Sequence, residues 1–291
     1  MLNKLRCLFF CFIFLNGISY SNEIAITFDD LPGAPDNKAA IQEPINRRIL
    51  NTLLKYKVPA IGFVNEDKIY SNKELDKKIA LLKLWTDNGF DLGNHTYSHR
   101  HLSNLTTHQF QSEVIKGEIE SKKLMNDAGR DYHYFRHPFL DTGATPQIRS
   151  ASESFLKKEG YHIAPVTIDT DDWKFNQQLL ERPEEKNKII QAYLEHTRIR
   201  FAFYEDASKH IFGRNIKQIW LLHVNLINSY TMKQLLTIAK DFDYNFISLG
   251  EALRDEAYDS ENNYYSHFGV SWLYRWDYTR GKVVDWSKEI E

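Results

Sequence analysis

The sequence predicts an α/β protein built as a distorted or incomplete (β/α) barrel of about seven parallel strands. Short runs rich in β-branched and aromatic residues alternate with longer amphipathic runs, as in strand–helix units around a parallel sheet. No internal repeat or Gly/Ser-rich linker divides the chain, which favours one main domain. A complete barrel of this type has eight strands, so about seven predict an incomplete one. An open doubly wound sheet is the alternative.

The first 21 residues have the pattern of a secretory signal peptide. Lys4 and Arg6 precede an apolar run over 8–15, and small or polar residues follow up to Ser21. The apolar run is shorter than the roughly 20 residues that a membrane-spanning helix needs. We therefore expect export to the periplasm or the extracellular space. We also expect a mature chain that begins near Asn22 and keeps no stable membrane anchor after signal cleavage.

The composition of the remaining chain limits its partners. Removal of 1–21 takes away Lys4 and Arg6, so 37 basic residues become 35 against 39 acidic ones, a net charge of −4. This balance does not favour binding to nucleic acid or to anionic lipid. Both cysteines, Cys7 and Cys11, lie in the signal segment, and the mature chain is expected to contain no disulfide.

The predicted elements follow one another in a regular order. We predict strands at 23–29, 59–65, 90–95, 133–137, 162–169, 218–224 and 245–249. Helical periodicity lies between them, most clearly over 46–57, 75–89 and 110–129, and the last two of these runs end at glycine. Beyond them, 174–215 is predicted as a mostly helical insertion. A single domain over 22–253 is followed by 254–291, an irregular, aromatic-rich extension predicted to pack on the barrel.

Acidic, basic and imidazole side chains fall at the carboxyl ends of five predicted strands. They are Asp29 and Asp30 in "TFDD", His95 and His99 in "HTYSH", Arg136 in "RHPF", Asp172 in "DTDDW" and His223 in "LLH". Taken singly, each has an ordinary explanation: a solvated acid, a hydrogen-bonded core histidine or an arginine in a structural ion pair. Because the carboxyl ends of parallel strands share one face of a barrel, we expect these side chains to meet there.

Two imidazoles and one carboxylate can bind Zn²⁺ and leave a coordination position open for water. The sequence therefore predicts a divalent metal, most simply Zn²⁺, held by Asp30, His95 and His99. Asp29 lies beside this set and is free to act as a general base.

The five segments "TFDD", "HTYSH", "RHPF", "DTDDW" and "LLH" resemble, in order and type, the motifs of the polysaccharide deacetylase family. This family has a NodB-like domain and is also called carbohydrate esterase family 4. The resemblance extends over about 23–250, and five ordered motifs are far more specific than any one of them. It implies a distorted (β/α) barrel, a divalent metal that is usually zinc, and removal of acetyl groups from N-acetylated glycans or acetylated xylan.

The resemblance also implies a role for each matching residue. Asp30, His95 and His99 would bind the metal, and Asp29 would be the general base. The remaining assignments are Arg136 to orient that base, His223 as general acid, Asp172 to tune the acid, and Pro138, Phe139, Trp173 and Leu221 to line the substrate pocket. One segment departs from the family pattern, because Leu31 and Pro32 precede Gly33 where most members continue directly with Gly-Pro.

Three functions are compatible with these motifs. The first is an exported, metal-dependent deacetylase acting on an N-acetylated polysaccharide such as chitin or peptidoglycan. The second is an O-acetyl esterase acting on xylan-like chains, and the third is a carbohydrate-binding relative that has lost catalysis. Asp29 and His223 argue against the third, because a binding protein has no use for a base and an acid around a metal.

Overall fold

The computed structural model describes residues 22–33 and 38–289, and the predicted signal segment 1–21 lies outside these ranges. The strands are β1 Asn22–Leu31, β2 Ala60–Val64, β3 Asp91–Asn94, β4 Tyr134–Phe135, β5 His162–Ile163, β6 Ile168–Asp169, β7 Gln218–His223 and β8 Tyr244–Ile247. The helices are α1 Ala39–Tyr56, α2 Asp67–Tyr70, α3 Leu75–Asp87, α4 Thr107–Lys116, α5 Ile119–Asp127, α6 Pro146–Lys158, α7 Asp172–Glu181, α8 Lys186–Phe212, α9 Leu226–Asp241, α10 Leu249–Ala252 and α11 Trp272–Arg280. Within the described ranges, every helix is too short or too polar to traverse a lipid bilayer.

The strands form one parallel sheet in the order β5-β4-β3-β2-β1-β7-β6. Strand β1 lies at the centre, with β7 along one edge and with β8 and then β2 along the other. From Ile24 to Asp29 its side chains are buried on both faces, as expected for a parallel strand covered by helices. The predicted α/β class and distorted, incomplete barrel are confirmed.

The segment 162–169, predicted as one strand, is two short strands at opposite edges of the sheet. Strand β5 pairs with β4 and strand β6 pairs with β7, and only 164–167 separate them. Pro165 lies in this connection and has no N–H for a strand ladder, so a continuous strand is interrupted there. The N–H of Ala164 bonds to Phe135 and that of Thr167 to Ile219. The chain itself therefore bridges the two edges and brings the barrel close to closure.

The predicted helix over 110–129 is likewise divided, into α4 and α5, at Gly117. A Cβ on Gly117 would lie 2.5 Å from the carbonyl carbon of Thr96 and 2.8 Å from the nitrogen of Tyr97. Only glycine allows the end of α4 to approach this backbone so closely. The interruption places α4 directly against the loop that follows β3.

Large aromatic side chains join the helices to the sheet. The fully buried Trp85 of α3 packs edge-on against Phe28 of β1, with ring centroids 5.5 Å apart, and its indole N–H donates to Asn46 of α1. Phe201 of α8 packs in the same manner on Trp220 of β7 at 4.8 Å. Segment 174–215 is mostly helical as predicted, and its long helix α8 supplies part of the principal core.

Residues after 253 contact the barrel through buried side chains. Trp276 of α11 is 1% exposed and packs against Phe212 and Tyr258. Arg275 is equally buried and donates hydrogen bonds to the carbonyl of Leu140 and the hydroxyl of Thr142. The segment predicted as irregular thus contains a helix that is tied to the loop after β4.

Candidate active site

Asp29 and Asp30 lie at the carboxyl end of β1 and both face His95. Successive residues of a regular strand point to opposite sides. Here Asp30 has a φ of 70°, in the left-handed region, and the chain turns at that point. The Oδ2 atom of Asp29 lies 3.7 Å from His95 Nε2, and the Oδ1 atom of Asp30 lies 4.0 Å from the same nitrogen. Two adjacent carboxylates are thereby directed into one site.

His95 and His99 come from the loop that follows β3. The Nδ1 of His95 lies 2.8 Å from the carbonyl oxygen of Arg136, so Nδ1 carries the proton and Nε2 presents a lone pair. The loop then turns through Thr96 and His99, whose φ values are 66° and 52°. Glu113 of α4 holds it, because its carboxylate accepts hydrogen bonds from the N–H and the hydroxyl of Ser98.

One ligand atom each from Asp30, His95 and His99 lies within 4.8 Å of the others. Burial lowers the pKa of His95 to about 3 and that of His99 to about 4, so both rings are neutral near pH 7. Burial would raise the pKa of Asp30, but Lys68 and His99 outweigh it and hold that carboxyl ionised. Asp30 Oδ1 is buried and accepts no hydrogen bond from the residues that the structure describes. A carboxylate and two neutral imidazoles are a donor set that fits a divalent metal.

Asp29 has a different environment from its neighbour. It is 3% exposed, and the fully buried Arg136 approaches its two oxygens at 3.3 and 3.4 Å. Arg136 also donates to the hydroxyl of Thr27 and lies over the ring of Phe63, 4.7 Å from its centroid. Burial raises the pKa of Asp29 and outweighs the lowering by Arg136. The carboxylate is therefore a stronger proton acceptor than an exposed aspartate.

His223 ends β7, in register with Asp29 of β1. Its Nδ1 lies 2.7 Å from Asp172, which is completely buried and also accepts a hydrogen bond from the His223 N–H. Asn225 and Asn228 donate to the same carboxylate and hold it in place. Burial works to lower the pKa of His223, but Asp172, aided by Asp30 and Asp29, raises it to about 10. The imidazole is a cation near neutral pH.

The four predicted pocket residues differ in exposure. Pro138 and Leu221 are buried, whereas Phe139 is 44% and Trp173 is 49% exposed. Phe139, at a φ of 54°, turns its ring towards His99, with centroids 4.4 Å apart. Phe139 is thus directly beside the proposed metal ligands. Leu221 lies two residues before His223 on β7, and Trp173 follows Asp172 at the start of α7.

Two side chains at this site were not predicted from the sequence. Lys68 of α2 extends to Asp30, with its Nζ 3.1 Å from Oδ1. Phe268, from the C-terminal extension, packs edge-on against His101 at 5.2 Å, and His101 stacks on Phe139 at 3.8 Å. Neither residue lies near one of the five motifs in sequence, and no local pattern marks them.

Comparison with known proteins supports the resemblance for the part of the chain that contains "TFDD", "HTYSH" and "RHPF". Residues 19–156 match the family described as polysaccharide deacetylase. A curated relative is the peptidoglycan-N-acetylglucosamine deacetylase of Bacillus cereus, which is 28% identical over 152 residues. That match includes 52% of this chain and 46% of the relative, so the chain spans less than half of that protein's length.

Solved structures share the fold at low sequence identity. The chitin deacetylase of the fungal pathogen Colletotrichum lindemuthianum has a TM-score of 0.57 at 20% identity, with 87% of this chain and 94% of that chain covered. A pseudoenzyme of carbohydrate esterase family 4 from Bacillus anthracis has a TM-score of 0.57 at 19% identity, with 80% and 66% covered. One fold thus includes a deacetylase and a pseudoenzyme, and the site residues must decide between them.

Proposed function

We propose that the chain, of which residues 19–156 match the polysaccharide deacetylase family, is a metal-dependent hydrolase of N-acetylated polysaccharides. Acetate and a free amino sugar are the products. The observation that carries the proposal is the convergence of Asp30, His95 and His99 beside Asp29 and His223. The named activities of the Bacillus and fungal relatives, on peptidoglycan and chitin, support the same class of substrate.

Asp30, His95 and His99 would hold the metal, which we propose to be Zn²⁺. The neutral histidine rings and the ionised Asp30 already have the protonation states that binding requires. When bound, a divalent metal of this type lowers the pKa of a water molecule and polarises a carbonyl group. Asp30 Oδ1, which lies 3.5 Å from His99 Nε2 and 4.0 Å from His95 Nε2, is the oxygen best placed to bind such a cation.

Asp29 would take the proton of the attacking water. Its burial raises its proton affinity, and Arg136 fixes the orientation of its two oxygens. We assign Asp29 to the base and not to the ligand set because its carboxylate is paired with Arg136. A backbone N–H beside Pro138 would stabilise the oxyanion that develops on the acetyl carbonyl, as donors of this kind do in acyl transfer.

His223 would protonate the leaving nitrogen, which cannot depart as an anion. The imidazole is a cation near neutral pH because Asp172 stabilises it, and it faces the site from the strand next to Asp29. Asp172 makes no contact with the reacting atoms in this scheme and acts only through His223. The pairing of a buried base with a protonated acid is what amide hydrolysis requires and what carbohydrate binding alone does not.

The N-terminal pattern of Lys4, Arg6 and the apolar run over 8–15 supports export, and an envelope or extracellular glycan is therefore the proposed substrate. The departure at Leu31 and Pro32 leaves the choice of glycan open to experiment. Acetate release from N-acetylglucosamine oligomers, peptidoglycan and acetylated xylan, each with and without a chelator, tests the proposal. Chelator-sensitive release from either N-acetylated glycan supports it. Release from xylan alone would favour the O-acetyl esterase, and no release from any substrate would favour the inactive relative.

A further inference from the structure

Lys68 brings a positive charge into the group of proposed metal ligands. Its Nζ lies 3.1 Å from Asp30 Oδ1, and only 18% of its side chain is exposed. The same oxygen lies 3.5 Å from His99 Nε2 and 4.0 Å from His95 Nε2. The ammonium group therefore approaches the very carboxylate oxygen that faces both imidazoles. None of the proton transfers proposed above makes use of it.

The backbone that carries Lys68 is anchored to α5 and to the loop that carries His95 and His99, which we call the metal-ligand loop. The N–H of Asp67 donates to the carbonyl of Tyr97, 3.0 Å away. Glu66 is completely buried, and its carboxylate accepts hydrogen bonds from the N–H groups of Glu120 and Ser121 and from the Ser121 hydroxyl. These bonds fix the start of α2 against the loop that provides His95 and His99.

A second lysine holds the backbone carbonyl of Lys68. Lys78 of α3 is completely buried, and its Nζ lies 2.5 Å from the carbonyl oxygen of Lys68 and 2.6 Å from the Ser71 hydroxyl. The backbone position of Lys68 is thus determined from two directions. Its flexible side chain is the part that can move away from Asp30 without disturbing these bonds.

We propose that Lys68 competes with the divalent metal for Asp30 and thereby sets the metal affinity of the centre. Two cations cannot share one carboxylate oxygen at close range without strong repulsion. In the metal-free protein Lys68 neutralises Asp30, and on metal binding its side chain moves out towards solvent. The inference rests on the metal centre of the proposed function. Lys68 affects the reaction only through the binding of the metal and takes no part in the chemical step.

The test is the zinc affinity of Lys68→Met, measured in competition with a chromophoric chelator at one pH and ionic strength. The substitution removes the charge and keeps most of the side-chain length. We expect the dissociation constant for Zn²⁺ to fall at least tenfold. Lys68→Arg keeps the charge and should bind zinc no more tightly than the unmodified protein. Lys77→Met, which removes a 72% exposed charge from the neighbouring helix α3, is the matched control and should change the affinity less than twofold.

A second measurement does not depend on the chelator. Thermal unfolding of the metal-free protein should occur at lower temperature in Lys68→Met, because Asp30 loses its partner, and the difference should vanish at saturating zinc. Equal or weaker zinc binding by Lys68→Met, with zinc still bound by the unmodified protein, would overturn the competition and leave the proposed function intact. Failure of both proteins to bind zinc would overturn the metal centre itself and this inference with it.

Discussion

Asp29 and Asp30 are chemically identical neighbours with opposite electrostatic surroundings. Burial acts to raise the pKa of Asp30, but Lys68, aided by the neighbouring histidines, holds it well below its usual range. Burial dominates at Asp29 and raises its pKa in spite of Arg136. The proposed division between a permanently ionised ligand and a proton-accepting base follows from these surroundings. The two environments meet where the backbone of Asp30 is in the left-handed region.

This division predicts different effects for two substitutions. His99→Ala should lower zinc content and activity together, because one of three protein ligands is lost. Asp29→Asn should retain zinc but lose turnover by ~10²-fold or more, because the shape is kept and the base is removed. Zinc content is measured by elemental analysis after dialysis, and activity by acetate release. His210→Ala, at an exposed position of α8, serves as the control. Loss of zinc in Asp29→Asn with retention in Asp30→Asn would reverse the assignment of the two aspartates.

The pairing of His223 with Asp172 predicts a change in pH dependence. The carboxylate raises the pKa of His223 to about 10, so Asp172→Asn should lower that pKa towards its ordinary value. The alkaline limb of kcat/KM for an N-acetylated substrate should therefore move to lower pH. An unchanged limb would assign it to another group.

The same pair contributes to stability in a defined pH range. The folded-state pKa of His223 lies above the ordinary value of about 6.5, so protonated His223 favours the folded state. The protonation of His223 makes its full contribution to the free energy of unfolding below pH ~6.5, and this contribution disappears as the pH rises through about 10. Denaturant unfolding of Asp172→Asn and of the unmodified protein should accordingly differ most at the lower pH and converge above pH ~10.

At the scale of secondary structure, the end of helix α4 positions the metal-ligand loop. Gly117 permits the approach of Thr96 and Tyr97, and Glu113 binds Ser98. The interruption of the predicted helix at Gly117 therefore helps to position the loop that carries the proposed metal ligands His95 and His99. An added methyl group would meet backbone atoms, which cannot move aside as a flexible side chain does.

Gly117→Ala is expected to displace the loop that carries His95 and His99. It should weaken zinc binding by about tenfold and lower the free energy of unfolding by ~1–3 kcal/mol, the usual cost of overpacking. Competition with a chelator and urea denaturation measure the two effects. Gly250→Ala is the matched control, since its methyl group would lie 2.6 Å from the hydroxyl of Tyr134, at the end of a side chain, and would meet no backbone atom. Unchanged zinc affinity in Gly117→Ala would show that the position of α4 does not influence the metal centre.

At the scale of the whole molecule, the extension after 253 contributes to the core of the barrel. Trp276→Ala should lower the free energy of unfolding by ~3–5 kcal/mol, because a fully buried indole is removed. Val283→Ala, at a position that is 62% exposed, should change it by less than ~0.5 kcal/mol. Urea denaturation measures both. Two separate transitions, with Trp276→Ala affecting only one, would show that the extension folds independently of the barrel.

The positions of most strands along the chain and the five motifs could be predicted from the sequence because each depends on short, local patterns. The break at Pro165 could also have been expected from its missing N–H. The interruption at Gly117 could not, because it depends on Thr96 and Tyr97, which are distant in sequence. Lys68 and Phe268 escaped prediction for the same reason, since their approach to the site is produced by tertiary packing.

We expect deacetylation to depend on one divalent metal held by Asp30, His95 and His99. The most direct measurement is the rate of acetate release from N-acetylglucosamine oligomers by chelator-treated protein during titration with Zn²⁺. We expect negligible release before zinc is added, and a linear rise that ends at one equivalent per chain. Release that survives complete removal of metal, or no release from protein that carries one zinc ion per chain, would contradict it.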